Sequence, residues 1–287
     1  MPGIAKSTGI LLVLLASFHG AGAQKIEVGL LAGGSGYMGD LNTHNYQRYS
    51  HPALGALLRW NINPRNSIKF SFLHGTLQGS DASSGNPYQE SRNLYFRSPL
   101  NEFSAQFEFN FFRYNPLWGN ERFSPFLFTG ISIFSFNPEA KGTPPGGSGD
   151  EWYRLRELGT EGQGLPGYPD KYKLAQLAIP FGIGVKYNIG RNWNLIGEMG
   201  YRATFTDYLD DVSGYYPGAA AFSTASSPDP AASYFSDRRL QPANPADPAG
   251  LQRGDLLKKD TYLFAVIGIS YTFVSSWCPA FSDWGRE

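Results

Sequence analysis

The stretch "NEFSAQFEFNF", residues 101–111, decides the fold. Phe103, Ala105, Phe107, Phe109 and Phe111 fall on one side of an alternating pattern. Glu102, Ser104, Gln106, Glu108 and Asn110 fall on the other. A period of two is the signature of a β-strand, because successive side chains leave an extended backbone on opposite faces. The run is long for a strand of a soluble sandwich, which is typically about 5–6 residues. Its polar face also carries two glutamates.

Residues 176–188 repeat the theme. Leu177, Ile179, Phe181, Ile183, Val185 and Tyr187 share a face, against Gln176, Ala178, Pro180, Gly182, Gly184, Lys186 and Asn188. Near the end of the chain, Leu263, Ala265, Ile267, Ile269, Tyr271 and Phe273 alternate with Phe264, Val266, Gly268, Ser270 and Thr272. Eight such segments can be placed, at 25–36, 53–63, 67–79, 100–113, 123–137, 174–189, 192–207 and 260–273. In 123–137 the apolar residues fall on both faces, so its facing stays open. An even number of strands of membrane-crossing length predicts an all-β protein, an eight-stranded antiparallel transmembrane β-barrel of OmpA-like size. A periplasmic β-sandwich is the competing architecture.

The connections agree. Residues 63–66 and 189–192 are tight turns and 114–122 is a moderate loop, whereas 37–52, 80–99, 138–173 and 208–259 are long. Short turns at one end and long loops at the other are expected of an outer-membrane barrel, with the long loops outside the cell and the C-terminus in the periplasm. The Pro-, Ala- and Ser-rich stretch 216–250 is expected to lack fixed structure.

The first residues support export. "MPGIAKSTGILLVLLASFHGAGAQ" offers Lys6, an apolar run and the small residues Ala21-Gly22-Ala23 before Gln24. That predicts a cleaved signal peptide over 1–23. The barrel then occupies 24–273, and a periplasmic tail 274–287. Aromatic residues make up 15% of the chain, and 34 residues are Gly, which favours β structure over helix. The 24 basic and 24 acidic residues cancel, so nothing points to nucleic acid.

An eight-stranded barrel has an interior just wide enough to be filled by side chains. The polar faces supply Glu27, Lys69, Glu102, Glu108, Lys186, Glu198 and Arg202 as candidate lumen charges. They would form either an ion-pair network that plugs the lumen or a path for protons or ions.

Signals for other chemistry are weak, and no cofactor is expected. His44, His51 and His74 have no second metal ligand at useful spacing. His74, Ser71 and Glu102 can be drawn as a hydrolytic set, but no motif supports it. Asp207, Asp210 and Asp211 form either a calcium site or, in the plainer reading, a solvated acidic rim. The glycine-rich stretch 33–36 is expected to mark a bend or a close approach between strands.

Six stretches carry a resemblance: "YMGDLN" (37–42), "RNLYFRSPLNEF" (92–103), "FSPFLFTGISIFSFNPEA" (123–140), "LGTEGQG" (158–164), "IPFGIGVKY" (179–187) and "TFTDYLDDVS" (204–213). Together they resemble the PorG-like outer-membrane barrels of the type IX secretion system of Bacteroidota. The resemblance implies a non-enzymatic barrel that anchors a periplasmic ring built from PorK and PorN, embedded in outer-membrane lipid. Two other functions compete: a general OmpA-like structural barrel or small pore, and an outer-membrane lipid-modifying enzyme.

If a ring is anchored, the periplasmic surface carries the contact. The candidates are the aromatic residues Trp277, Phe281 and Trp284 of the tail, with Trp118 in the 114–122 loop. Cys278 is the one cysteine of the chain, in an oxidising compartment, so any disulfide must be intermolecular. The resemblance makes PorK the expected partner for it.

Overall fold

The computed structural model describes residues 25–42, 49–117, 120–147, 149–223, 229–240, 247–255 and 259–274. Eight long strands form the barrel: β1 (Lys25–Met38), β2 (Tyr49–Asn61), β3 (Asn66–Ser80), β4 (Tyr95–Asn110), β5 (Phe123–Phe136), β8 (Ala175–Gly190), β9 (Trp193–Thr204) and β10 (Thr261–Val274). Between β5 and β8 a small hairpin, β6 (Glu139–Gly142) and β7 (Glu151–Arg154), extends from the rim. Each barrel strand pairs antiparallel with its neighbours, and β1 pairs with both β2 and β10, so the sheet closes without a free edge. Closure gives every barrel strand a partner on both sides, which is what lets a sheet stand in hydrocarbon.

The two faces are chemically opposite. Leu30, Ile131 and Ile267 point outward and are 68–73% exposed, and Leu58, Phe103, Phe107, Ile183, Leu195 and Ile269 join them. In water, a belt of this size would forgo about 1.5–3 kcal/mol for each large side chain left unburied. A lipid environment removes that penalty, so the belt is a membrane-facing surface. Inward-facing side chains fill the lumen. The ambiguous strand β5 resolves here: Phe126, Phe128, Phe134 and Phe136 point in, and Leu127, Ile131 and Ile133 point out.

The glycine-rich stretch of β1 sits at a register shift between Ser35 and Gly36 opposite β2. Bulges of this kind bend a strand and tighten its twist. Gly33 faces β10 so closely that a Cβ there would lie 2.0 Å from the Ala265 carbonyl oxygen. Gly33→Val is therefore expected to destabilise the barrel by about 3 kcal/mol or more, the upper end of overpacking costs. Urea unfolding of the refolded variant in lipid vesicles measures it.

The strand ends differ from expectation in an instructive way. β4 starts at Tyr95 rather than 100, and β2 at Tyr49 rather than 53, which shortens the loops expected at 80–99 and 37–52. The segment 81–94 contains a one-turn 3-10 helix and a short helix (Pro87–Arg92), the latter capped by the Asn86 side chain, which accepts from Tyr88 N at 3.0 Å. The 216–250 stretch, expected to lack structure, carries short helices at Ala219–Ser223 and Pro230–Ser236.

Candidate functional site

The lumen is built in layers. In the layer nearest the tight turns, Arg59 Nε donates to Glu108 Oε2 at 2.7 Å and Arg59 Nη1 to Glu27 Oε2 at 2.9 Å. Lys186 Nζ donates to Glu108 Oε2 at 2.6 Å, and Lys69 Nζ reaches Glu198 at 2.5 Å and Glu108 at 3.6 Å. Three carboxylates thus meet three cations, all buried. Further up, Arg202 forms a two-pronged contact with Glu102 at 3.0 and 3.1 Å, and Tyr262 OH donates to the same carboxylate at 2.8 Å.

Aromatic rings separate these layers. Lys69 lies 4.9 Å from the Phe128 ring centroid, Lys186 4.6 Å from Phe126, and Arg202 4.9 Å from Phe264. Gly200 makes room for this packing, since a Cβ there would fall 2.5 Å from Phe128 and 2.8 Å from the Arg202 guanidinium. Both signs balance within each layer, which is the condition for holding charges out of water.

Both ends of the lumen are stoppered. At the turn end the β4–β5 connection folds inward. Tyr114 OH donates to Asn194 Oδ1 at 2.7 Å, and the Pro116 carbonyl accepts from Asn188 Nδ2 at 2.9 Å and Thr272 Oγ1 at 3.3 Å. At the other end the long connections fold into a crown fastened by two buried arginines. Arg92 forks onto Asp81 at 2.7 and 2.8 Å and donates to the carbonyls of Asp40 and Arg253. Arg253 donates to Glu161 Oε1 at 2.9 Å and to the carbonyls of Asp211 and Ser236. Asp211 also accepts from Tyr172 OH at 2.7 Å and from Thr160 Oγ1.

Where the barrel meets the crown, the single hydroxyl proton of Tyr37 lies between two carboxyls, Asp210 at 2.5 Å and Asp260 at 3.2 Å. Burial pushes Asp210 and Asp260 well above the ordinary carboxylate range, the nearby Asp40 carboxylate raises both further, and Asp210 also raises Asp260. Burial likewise lifts Asp40 and Asp211 to about 6, although the neighbouring Arg253 works against this for Asp211.

These shifts fix a sign. A carboxyl raised in the folded state contributes stability that is complete below its unfolded value near 4 and is lost as pH rises through about 6. For Asp211 the change is on the order of 3 kcal/mol. The thermal midpoint of the crown is expected to fall between pH 4 and pH 7, with Trp152 fluorescence as the probe. Asp211→Asn, which tolerates the left-handed backbone at this position (φ 66°), is expected to flatten the fall.

The expected lumen charges Glu27, Lys69, Glu102, Glu108, Lys186, Glu198 and Arg202 lie inside the barrel, Glu102 and Arg202 as one pair and the others in the larger network. Arg59, at the centre of the larger network, was absent from that set; its signal was the inward parity it shares with Asn61 on β2. The acidic-rim reading of Asp207, Asp210 and Asp211 is overturned. All three are buried, because the loops bring donors over them, and among the described residues no group of three or more His, Cys, Asp or Glu could hold a metal. The hydrolytic set is not assembled either. Ser71 and Glu102 face the lumen, bonded to Ser104 and Arg202, while His74 points to the outside and pairs with Asn101. Trp118, Trp277, Cys278, Phe281 and Trp284, like the expected signal peptide over 1–23, lie outside the described residues.

Residues 6–141 match a family model described as a domain of unknown function, DUF6089. None of the curated proteins compared with the chain matches it. Among solved structures it is similar to a major outer membrane protein from Thermus thermophilus, at 13% identity over 88% of this chain and 100% of that one, with a TM-score of 0.41. Neisserial surface protein A gives 10% identity over 89% and 100%, with a TM-score of 0.39. The N-terminal β-barrel domain of Pseudomonas aeruginosa OprF gives 10% over 87% and 97%, with a TM-score of 0.35. At such identities and scores, no site or role passes from these proteins to this one.

Proposed function

We propose that this chain is a non-enzymatic component of the type IX protein secretion apparatus in the outer membrane, where it anchors or positions the periplasmic ring of PorK and PorN. In this reading the tight-turn end and the C-terminal tail lie in the periplasm and the crown lies outside the cell. The observation that carries a scaffold over a conduit is the filled lumen. Among the described residues, the balanced ion layers, the aromatic rings between them and the stoppers at both ends fill the lumen, against passage of a folded protein. That also counts against the small pore.

The secretion role rests on the resemblance of the six stretches, and their arrangement supports it. Three of them, distant in sequence, meet in the crown: Tyr37 and Asp40 of the first, Thr160 and Glu161 of "LGTEGQG", and Asp210 and Asp211 of "TFTDYLDDVS". A resemblance concentrated in residues that touch one another is harder to explain by shared strand composition alone.

The test is copurification of PorK and PorN with a tagged chain from solubilised outer membranes. Removal of residues 274–287 is expected to release the ring while the barrel stays folded. On a non-reducing gel, a heavier band that collapses on reduction and is missing in Cys278→Ser is expected. Retention of the ring after the deletion would sink the tail contact, a single monomer band the disulfide, and no ring with the intact chain the secretion role itself.

A further inference from the structure

The crown encloses a cavity of about 230 Å³ that belongs to neither the lumen network nor the proposed ring contact. It lies between the β3–β4 connection, the β6–β7 hairpin and the helix Pro230–Ser236. One wall is apolar, formed by Leu94, Leu155 and Phe235 among others. The lining also carries three cationic side chains, Lys141 of the hairpin, Arg238 and the buried Arg253.

These cations differ in how they are neutralised. Arg253 is paired with Glu161, and Lys141 with the exposed Asp150 at 3.1 Å. Arg238 has no carboxylate within ion-pair distance among the described residues. Its guanidinium rests instead over the Tyr234 ring at 4.5 Å and near Phe235 at 5.8 Å. An aromatic face orients a guanidinium but supplies no formal countercharge, so its forked donors stay available to a planar anion. The position is built rather than incidental. Asn93, held in the left-handed conformation, donates from Nδ2 to the Arg238 carbonyl at 3.2 Å. Gly142 leaves the space that Arg238 Nη1 occupies, since a Cβ there would come within 2.9 Å of it.

The one carboxyl on the cavity wall, Asp210, is engaged by Tyr37 OH and Val212 N. Burial raises it well above the usual range.

From this juxtaposition we propose that the crown cavity binds a small organic acid, with its carboxylate on Arg238 and its apolar body against Leu94, Leu155 and Phe235. The volume is below the roughly 300–1,000 Å³ of pockets that take drug-sized ligands, so the acid is a small one. The inference is independent of the secretion role, because the crown faces away from the turn end.

The test uses 4-fluorobenzoate as the probe, followed by ¹⁹F NMR against the full-length barrel folded in an uncharged detergent. Saturable binding is expected, weakened about tenfold or more by Arg238→Gln, as loss of a hydrogen-bonded charge implies. The neutral 4-fluorobenzamide is expected to bind at least about tenfold more weakly than the acid. Leu155→Trp, which fills the apolar side and leaves Arg238 in place, is expected to abolish binding. An unchanged unfolding midpoint establishes that each variant is folded. No saturable binding to the parent protein, equal affinity in Arg238→Gln, equal affinity for the amide, or undiminished binding in Leu155→Trp would each overturn the proposal.

Discussion

Glu108→Gln is expected to lower the stability of the barrel by about 3–5 kcal/mol, the cost of breaking a buried pair and leaving charge uncompensated. The size follows from its position. Glu108 is the acceptor shared by Arg59, Lys186 and Lys69, so neutralising it leaves three buried cations facing only Glu27 and Glu198. The glutamine is nearly isosteric, so packing is preserved and the loss reports charge alone. Combining it with Lys186→Met restores the balance of signs and is expected to recover much of the loss. Urea unfolding in lipid vesicles, followed through Trp60 and Trp193, gives both values. If the single variant unfolds at the parent midpoint, the ion layer does not hold the barrel together.

Arg253→Met is expected to act elsewhere and with comparable force. It strands Glu161 and frees the Asp211 and Ser236 carbonyls, so the loops lose the tie that joins 161, 211 and 236. The barrel strands do not depend on that tie. Amide exchange in the crown segments is therefore expected to accelerate about 100-fold or more, while exchange in β1 to β5 and β8 to β10 stays unchanged. Equal acceleration throughout the molecule would show that crown and barrel unfold as one unit.

The barrel was legible because alternation is a local signal. "NEFSAQFEFNF" shows its two faces without any knowledge of its neighbours, and the candidate lumen charges follow from the same parity. Arg59 escaped because its strand reads "GALLRWN", with Leu57 facing inward beside it and Trp60 outward, so the polar face is broken. The early start of β4 was hidden in the same way: Phe96 and Leu100 point inward under the crown, and the pattern reads as apolar on both sides.

The crown was not legible at all. Asp210 and Asp211 look like a solvated rim until Arg253 and Tyr37, distant in the chain, are folded onto them. Local spacing cannot reveal a countercharge 42 residues downstream or a hydroxyl 173 residues upstream. The short helices of the 216–250 stretch depend on the same long-range packing: Phe235 is buried against Tyr153 of the hairpin at 5.1 Å between ring centroids.

The seam between β1 and β10 has a consequence for how the molecule is made. It joins Lys25 to Val274, the two ends of the described chain. While the polypeptide is being delivered from its N-terminus, β1 presents an unpaired edge whose partner arrives last. Arg92 and Arg253 are also brought together late, since 161 residues separate them. Assembly therefore cannot proceed strand by strand into lipid as a growing sheet with each increment stable. The chain must be kept from pairing with other chains until β10 is present to cover that edge.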